Sequence, residues 1–175
     1  MLYKFPGMSK DTVKKLKKQN TSIRDVLEMN DDEVKSLGFS VRALNEIRAI
    51  PIHTAANISM TFETDKTSGK NHGIVEFDLI VSRTTKSRNG NVKPRDDYGF
   101  FAALGTPQSG FLLSKDSVMV SLNGHKKGSA TRSVALHFDW TLANSCAGAN
   151  GGCVVLRLLS ADVQGMDIEY FVPLK

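Results

Sequence analysis

The 175-residue sequence predicts an α+β protein in two parts, a small all-α unit over residues 1–52 and an antiparallel two-sheet β-sandwich over residues 56–175. Three observations predict it. The first fifty residues carry repeated helix-start residues, each followed by apolar residues at helical spacing. From Asn57 onward the apolar period changes from 3.6 to 2. Between the alternating runs stand glycine, asparagine and proline in turn-forming combinations.

In the first part, Phe5-Pro6-Gly7-Met8 reads as a turn and Ser9 as the N-cap of a helix, with Asp11 in its first turn. Val13 and Leu16 put a narrow apolar stripe on a helix otherwise coated in lysine, ending near Asn20. Thr21 or Ser22 opens a second helix with Ile23, Val26, Leu27 and Met29 inward. Asn30-Asp31-Asp32-Glu33 has the form of a capping box, and the short helix it starts is stopped by Gly38. Ser40 caps the last helix, Phe39 and Leu44 having the spacing of a hydrophobic staple. Val41, Leu44, Ile47 and Ile50 are its expected inner face, and Pro51 its end. Such short helices bury little alone and need the following domain as a neighbour.

In the second part, Ile58, Met60 and Phe62 alternate with polar residues, and Ile74 to Val81 is strand-like. Phe100–Leu104 and Phe111–Leu113 are short apolar runs. Val118, Val120 and Leu122 precede an Asn123-Gly124 turn, and Val134, Leu136, Phe138 and Trp140 alternate with Ala135, His137 and Asp139. The chain closes on a hairpin. Val154 to Leu159 form an apolar run, broken only by Arg157, that stops at Ser160-Ala161-Asp162; Gln164 to Asp167 supply a turn, and Ile168, Tyr170 and Val172 alternate with Glu169, Phe171 and Pro173 in the last strand, which Pro173 ends. Seven or eight short strands with no convincing helix among them imply a sandwich of immunoglobulin or fibronectin-III type. Trp140 reads as core and His137 as outward-facing. The segment Ser82–Asp97 reads as a polar, basic surface loop.

The formal charge is +5. Residues 1–55 carry ten Lys/Arg against seven Asp/Glu, and residues 56–175 thirteen against eleven. Two basic clusters stand out: Lys10, Lys14, Lys15, Lys17 and Lys18 in the first part, and Arg83, Lys86, Arg88, Lys93 and Arg95 in the second. Either can attract a phosphate backbone, and either can equally be a solvated surface kept basic for solubility.

There is no run of 18 apolar residues and no signal-peptide pattern at the N-terminus, so the chain reads as soluble; it also reads as a segment of something longer. Cys146 and Cys153 bracket a glycine-rich loop; a bridge between them and two reduced thiols both remain open, the second favoured by so low a cysteine count. With His125 or His137 as the only nearby additions, a zinc site lacks ligands, and no metal is expected. The sequence has no GxxxxGK[ST], GxSxG or HExxH pattern and no spaced carboxylate pair, so no catalytic residue and no cofactor is expected.

Phe5-Pro6-Gly7-Met8-Ser9-Lys10 is similar to the turn of a helix-hairpin-helix, with Ser9 where the second glycine stands; a plain cap explains the same residues. The wider succession carries more. The Phe5-Pro6 turn, the lysine-rich helix, Val26-Leu27-Glu28-Met29 with its acidic cap, the helix to Pro51, and a terminal S-A-D-x-x-G-x-D-x-E-Y pattern over Ser160–Tyr170 resemble the C-terminal half of the Sec-sixty-three homology unit. The family joins a helix-loop-helix domain to an immunoglobulin-like or fibronectin-III-like domain, and follows the motor domains of spliceosomal Ski-two-like RNA helicases, including those with two cassettes. Tyr98, Phe100 and Phe101 stand where the family usually carries tryptophans, which marks a divergent member.

The resemblance implies a non-catalytic accessory region of a large ATP-dependent RNA helicase of pre-mRNA splicing, located in the nucleus. It also implies RNA-path contacts near the helix-loop-helix part. The implied partners are the motor domains of the same parent chain, splicing-factor proteins and single-stranded RNA, with no membrane. Lys10, Lys14, Lys15, Lys17 and Lys18 are the expected RNA-phosphate contacts, and Arg83, Lys86, Arg88, Lys93 and Arg95 a second basic patch. Two alternatives accompany this reading: the corresponding domain of the endoplasmic-reticulum protein-translocation subunit, and a stand-alone protein-docking module.

Overall fold

The computed structural model describes residues 9–48, 50–83, 97–107, 110–123, 128–145, 152–163 and 166–174. Four short helices come first: α1 (Lys10–Lys18), α2 (Ile23–Glu28), α3 (Asp31–Ser36) and α4 (Val41–Arg48). The strands are β1 (Pro51–Thr64), β2 (Asn71–Arg83), β3 (Asp97–Gly105), β4 (Leu112–Ser121), β5 (Ser129–Asp139), β6 (Cys153–Ser160) and β7 (Ile168–Pro173), with a one-turn-plus helix α5 (Trp140–Ser145) after β5. They form two antiparallel sheets, one of order β1-β2-β5 and one of order β4-β3-β6-β7.

Each helix begins where a side chain satisfies its first amide groups. Ser9 Oγ accepts from the Thr12 N–H at 3.0 Å. Ser22 and Asp25 form a reciprocal capping box, as do Asn30 and Glu33. Ser40 Oγ accepts from the Ala43 N–H at 3.1 Å. Gly38 ends α3 at a φ of +86°, a left-handed conformation that a side chain would strain. The apolar stripes then meet in one cluster containing Leu16, Ile23, Val26, Val34, Leu37, Phe39, Leu44, Ile47 and Ile50. Val41 is a correction to the expected inner face: it is 70% exposed. As the first residue of α4 it lies well around the helix from the stripe of Ala43, Leu44, Ile47 and Ile50.

The two sheets share the larger core. Val75, Phe77, Leu79 and Val81 from β2 meet Phe100, Ala102 and Leu104 from β3 and Val154, Leu156 and Leu158 from β6, all at alternate positions. Phe138 folds back over Gly73, directly opposite it in the register, and a Cβ there would collide with the ring. This is why the central strand tolerates a glycine. Trp140 is half-buried against the same core, edge-on to Phe62 with ring centroids 4.0 Å apart. Contrary to the expected strand continuation, it starts α5; Asp139 supplies the stop, its Oδ1 accepting from the Leu142 N–H at 3.2 Å.

The first strand begins at Pro51, ahead of the expected start of the β domain at residue 56. A bulge hides it. Between the pairs Ala56↔Asp78 and Ser59↔Glu76, β1 holds one more residue than β2, and Asn57 takes a φ of +52°. The extra residue reverses which side chains face inward. His53 and Ala55 face the core before it, and Ile58 and Met60 after it, so no single alternation runs through the strand.

The helical cluster also draws on the β-sandwich. Met166, from the β6–β7 connection, is 1% exposed and packs among the helical apolar residues, with Val163 beside it. Expected as a turn residue, it is instead buried; Gln164 and Gly165 lie outside the described residues. The terminal pattern holds this connection in place. Asp162 Oδ2 accepts from the Gly99 N–H at 2.8 Å, Ala161 N–H donates to the Gly99 carbonyl at 3.0 Å, and Asp167 Oδ1 accepts from the Ser160 N–H at 3.0 Å. Among the described residues no helix is long and apolar enough to cross a membrane.

Candidate nucleic-acid interface

Helix α1 buries Thr12, Val13 and Leu16 and exposes Lys10, Lys14, Lys15, Lys17 and Lys18. At 3.6 residues per turn the five lysines occupy an arc of about 160°, running in the order Lys17, Lys10, Lys14, Lys18, Lys15. The structure therefore brings all five expected contacts together on one side of one helix. That side is presented rigidly, because Thr12 Oγ1 donates to the Gly38 carbonyl at 3.0 Å and ties α1 to the end of α3.

Helix stability explains only some of these lysines. Lys15, Lys17 and Lys18 stand in the last turn, where cations complement the helix dipole. Lys10 is the first helical residue, where a cation opposes the dipole. Lys10–Lys14 and Lys14–Lys18 are also like-charge pairs one turn apart, each destabilising by about 0.2–0.5 kcal/mol. Ammonium groups so arranged can hold phosphate oxygens as point charges; they cannot read bases.

The second expected patch is not assembled on the described residues. Arg83 ends β2, with its side chain outside them, and Lys86, Arg88, Lys93 and Arg95 lie outside them altogether, as does most of the expected surface loop. Cys146 and His125 are outside as well, and Cys153 is half-buried at the start of β6. His137 is exposed on β5, as its alternation predicts. No group of three or more candidate metal ligands occurs among the described residues.

A cavity of about 350 Å³ opens on the outer side of the three-stranded sheet, lined by Asn57, Ser59, Glu76, Asp78, Ser133 and their neighbours. Asn57 Nδ2 donates to one Asp78 oxygen at 2.8 Å and Ser133 Oγ to the other at 2.7 Å. These bonds, Asn57 first, hold the Asp78 carboxyl below its usual range. The pair of donors anchors the bulge to β2 and β5. Ser133 Oγ donates a hydrogen bond to a carboxylate held below its usual pKa, which makes that carboxylate a weak base toward the hydroxyl.

The helical unit and the sheets meet at His53. Arg24 Nη2, from α2, donates to the His53 carbonyl at 2.8 Å. The imidazole is 1% exposed, its ring 4.7 Å from that of Phe100, and its Nε2 has no hydrogen-bond partner among the described residues. Burial pushes its pKa from 6.5 down to about 4, the Arg24 charge adding to the effect and a hydrogen bond with the Leu158 backbone opposing it. The ring is therefore neutral at pH 7, a packed side chain and not a proton carrier. At the same edge Tyr170 Oη accepts from the Ala55 N–H at 2.9 Å and lies 2.8 Å from Thr54 Oγ1, linking β7 to β1 across the sheets.

Neither Arg24 nor His53 stood out in the sequence, since each is an isolated polar residue whose partner lies on another element. Tyr170, Asp162 and Asp167 stood out only as parts of the terminal pattern. No protein-family model and no curated protein matches this chain.

Proposed function

We propose that this chain is a non-catalytic accessory region of a large ATP-dependent RNA helicase of the spliceosomal type, acting in the nucleus. Its all-α part serves as a helix-loop-helix domain that contacts the RNA path, and its β part as a fibronectin-III-like domain that docks protein. The lysine face of α1 carries the reading, because helix stability alone disfavours Lys10 and the Lys10–Lys14–Lys18 succession. The strand order supports the domain type. β4 joins β3, β6 and β7, whereas an immunoglobulin constant domain puts its fourth strand with the first, second and fifth. The Ser160–Tyr170 pattern supports it too, since Tyr170 links β7 to β1 across the sheets, Asp162 and Asp167 hold the β6–β7 connection, and that connection carries Met166 into the helical core.

A contribution to docking is supported by the outer face of the four-stranded sheet, where Phe101, Met119 and Phe171 are 50%, 56% and 66% exposed. The motor domains of a parent chain and splicing factors are the partners this reading assigns. RNA binding of this kind tolerates any sequence and weakens steeply with salt. Fluorescence anisotropy of labelled single-stranded RNA at low salt is the test. Salt-sensitive saturation is expected, and a flat titration to high micromolar protein would end the RNA-contacting reading, leaving docking alone.

A further inference from the structure

The lysines of α1 are not equivalent. Lys10, Lys14 and Lys18 stand four residues apart, so they climb the helix in steps of about 6 Å and turn only slowly around it. The row is about 12 Å long. Its step is comparable to the separation of consecutive phosphates along an extended nucleic-acid strand. All three side chains are exposed, and no ion pair among the described residues engages them. Lys15 differs. It lies on the far flank of the arc, one turn beyond Asp11, where an acidic residue N-terminal to a lysine favours the helix itself.

Resting on the RNA-contacting reading above, we infer that Lys10, Lys14 and Lys18 form a stepped row that takes three consecutive phosphates of one single strand, with Lys15 outside the contact. The row repels itself in the unbound protein, and three phosphates relieve that repulsion at once. Because Thr12 ties α1 to Gly38, the backbone that carries the row is set before the strand arrives, so little backbone ordering is left to oppose binding.

The test is an NMR titration of the whole chain with oligouridylates carrying from one to six phosphates, read at the lysine ammonium signals. Affinity should climb steeply to three phosphates and then flatten. For the longer oligomers the slope of log affinity against log salt should be about −2, as three single-strand contacts require. Lys10→Gln, Lys14→Gln and Lys18→Gln should each lower affinity several-fold and reduce that slope by about 0.7, while Lys15→Gln leaves both nearly unchanged. Glutamine keeps helix propensity, and unchanged backbone signals of α1 verify that the variants fold. If Lys15→Gln is as damaging as Lys14→Gln, or affinity keeps rising by equal increments beyond three phosphates, the stepped row is wrong while RNA contact stands. If no oligomer shifts any lysine signal, both ideas fall.

Discussion

Arg24 reaches from the second helix to donate to the backbone carbonyl of His53 at 2.8 Å, at the point where the first strand enters the two-sheet body. Through this bond the charge of a helix meets the buried end of a strand. The same guanidinium helps keep the His53 ring neutral.

Replacing Arg24 by Met keeps the apolar stem and removes the donor. The His53 carbonyl is then left with one partner fewer in a half-buried setting, and a loss of about 1–2 kcal/mol is expected. Urea unfolding with an unchanged m-value would register it; no change in midpoint would mean that water replaces the guanidinium at no cost.

His53 gives the protein an acid sensitivity of defined sign. Its folded-state pKa of about 4 lies below the ordinary 6.5, so between these values the unfolded chain takes up a proton that the folded chain refuses. Stability should be complete above pH 6.5, fall as pH drops toward 4, and level off below, by roughly 3 kcal/mol in all. Asp25, Asp31 and Asp78, whose pKa values are lowered from 3.8, add their own loss only at more acidic pH. Urea midpoints measured from pH 7 to 4.5 should therefore slope in the native chain and flatten in His53→Phe. Equal slopes in both would assign the effect elsewhere.

Met166→Ala truncates the fully buried side chain that the β6–β7 connection contributes to the helical core. Truncation of a buried methionine costs about 2–5 kcal/mol. Hydrogen exchange should show the amides of α1 to α4 losing more protection than those of β2 and β5. An equal loss in both sets would show that the two cores open as one unit.

Tyr170→Phe deletes the hydroxyl that bridges β7 and β1 and leaves the Ala55 N–H to water or to nothing. About 1 kcal/mol of stability should go with it, and exchange at Ala55 should quicken. Unaltered exchange there would show that the bridge contributes nothing to holding the edge.

The sequence alone was enough for whatever is short-range. Ser9, Ser22, Asn30 and Ser40 start helices because a side-chain oxygen two or three residues away suffices to satisfy a free amide. Val75 to Val81 and Val134 to Phe138 alternate because a strand repeats every two residues. Clustering of the lysines on one side of α1 follows from the helical repeat in the same way. Tertiary structure decided what depends on a distant partner. The bulge at Asn57 reverses the inward face of β1 by adding one residue against β2, where Asp78, itself bonded by Ser133, holds Asn57, and this conceals the strand's first residues from any single period. Met166 resembles a turn residue until four helices close over it. The neutral ring of His53 follows from burial against elements far along the chain and from Arg24, and no local spacing encodes that meeting.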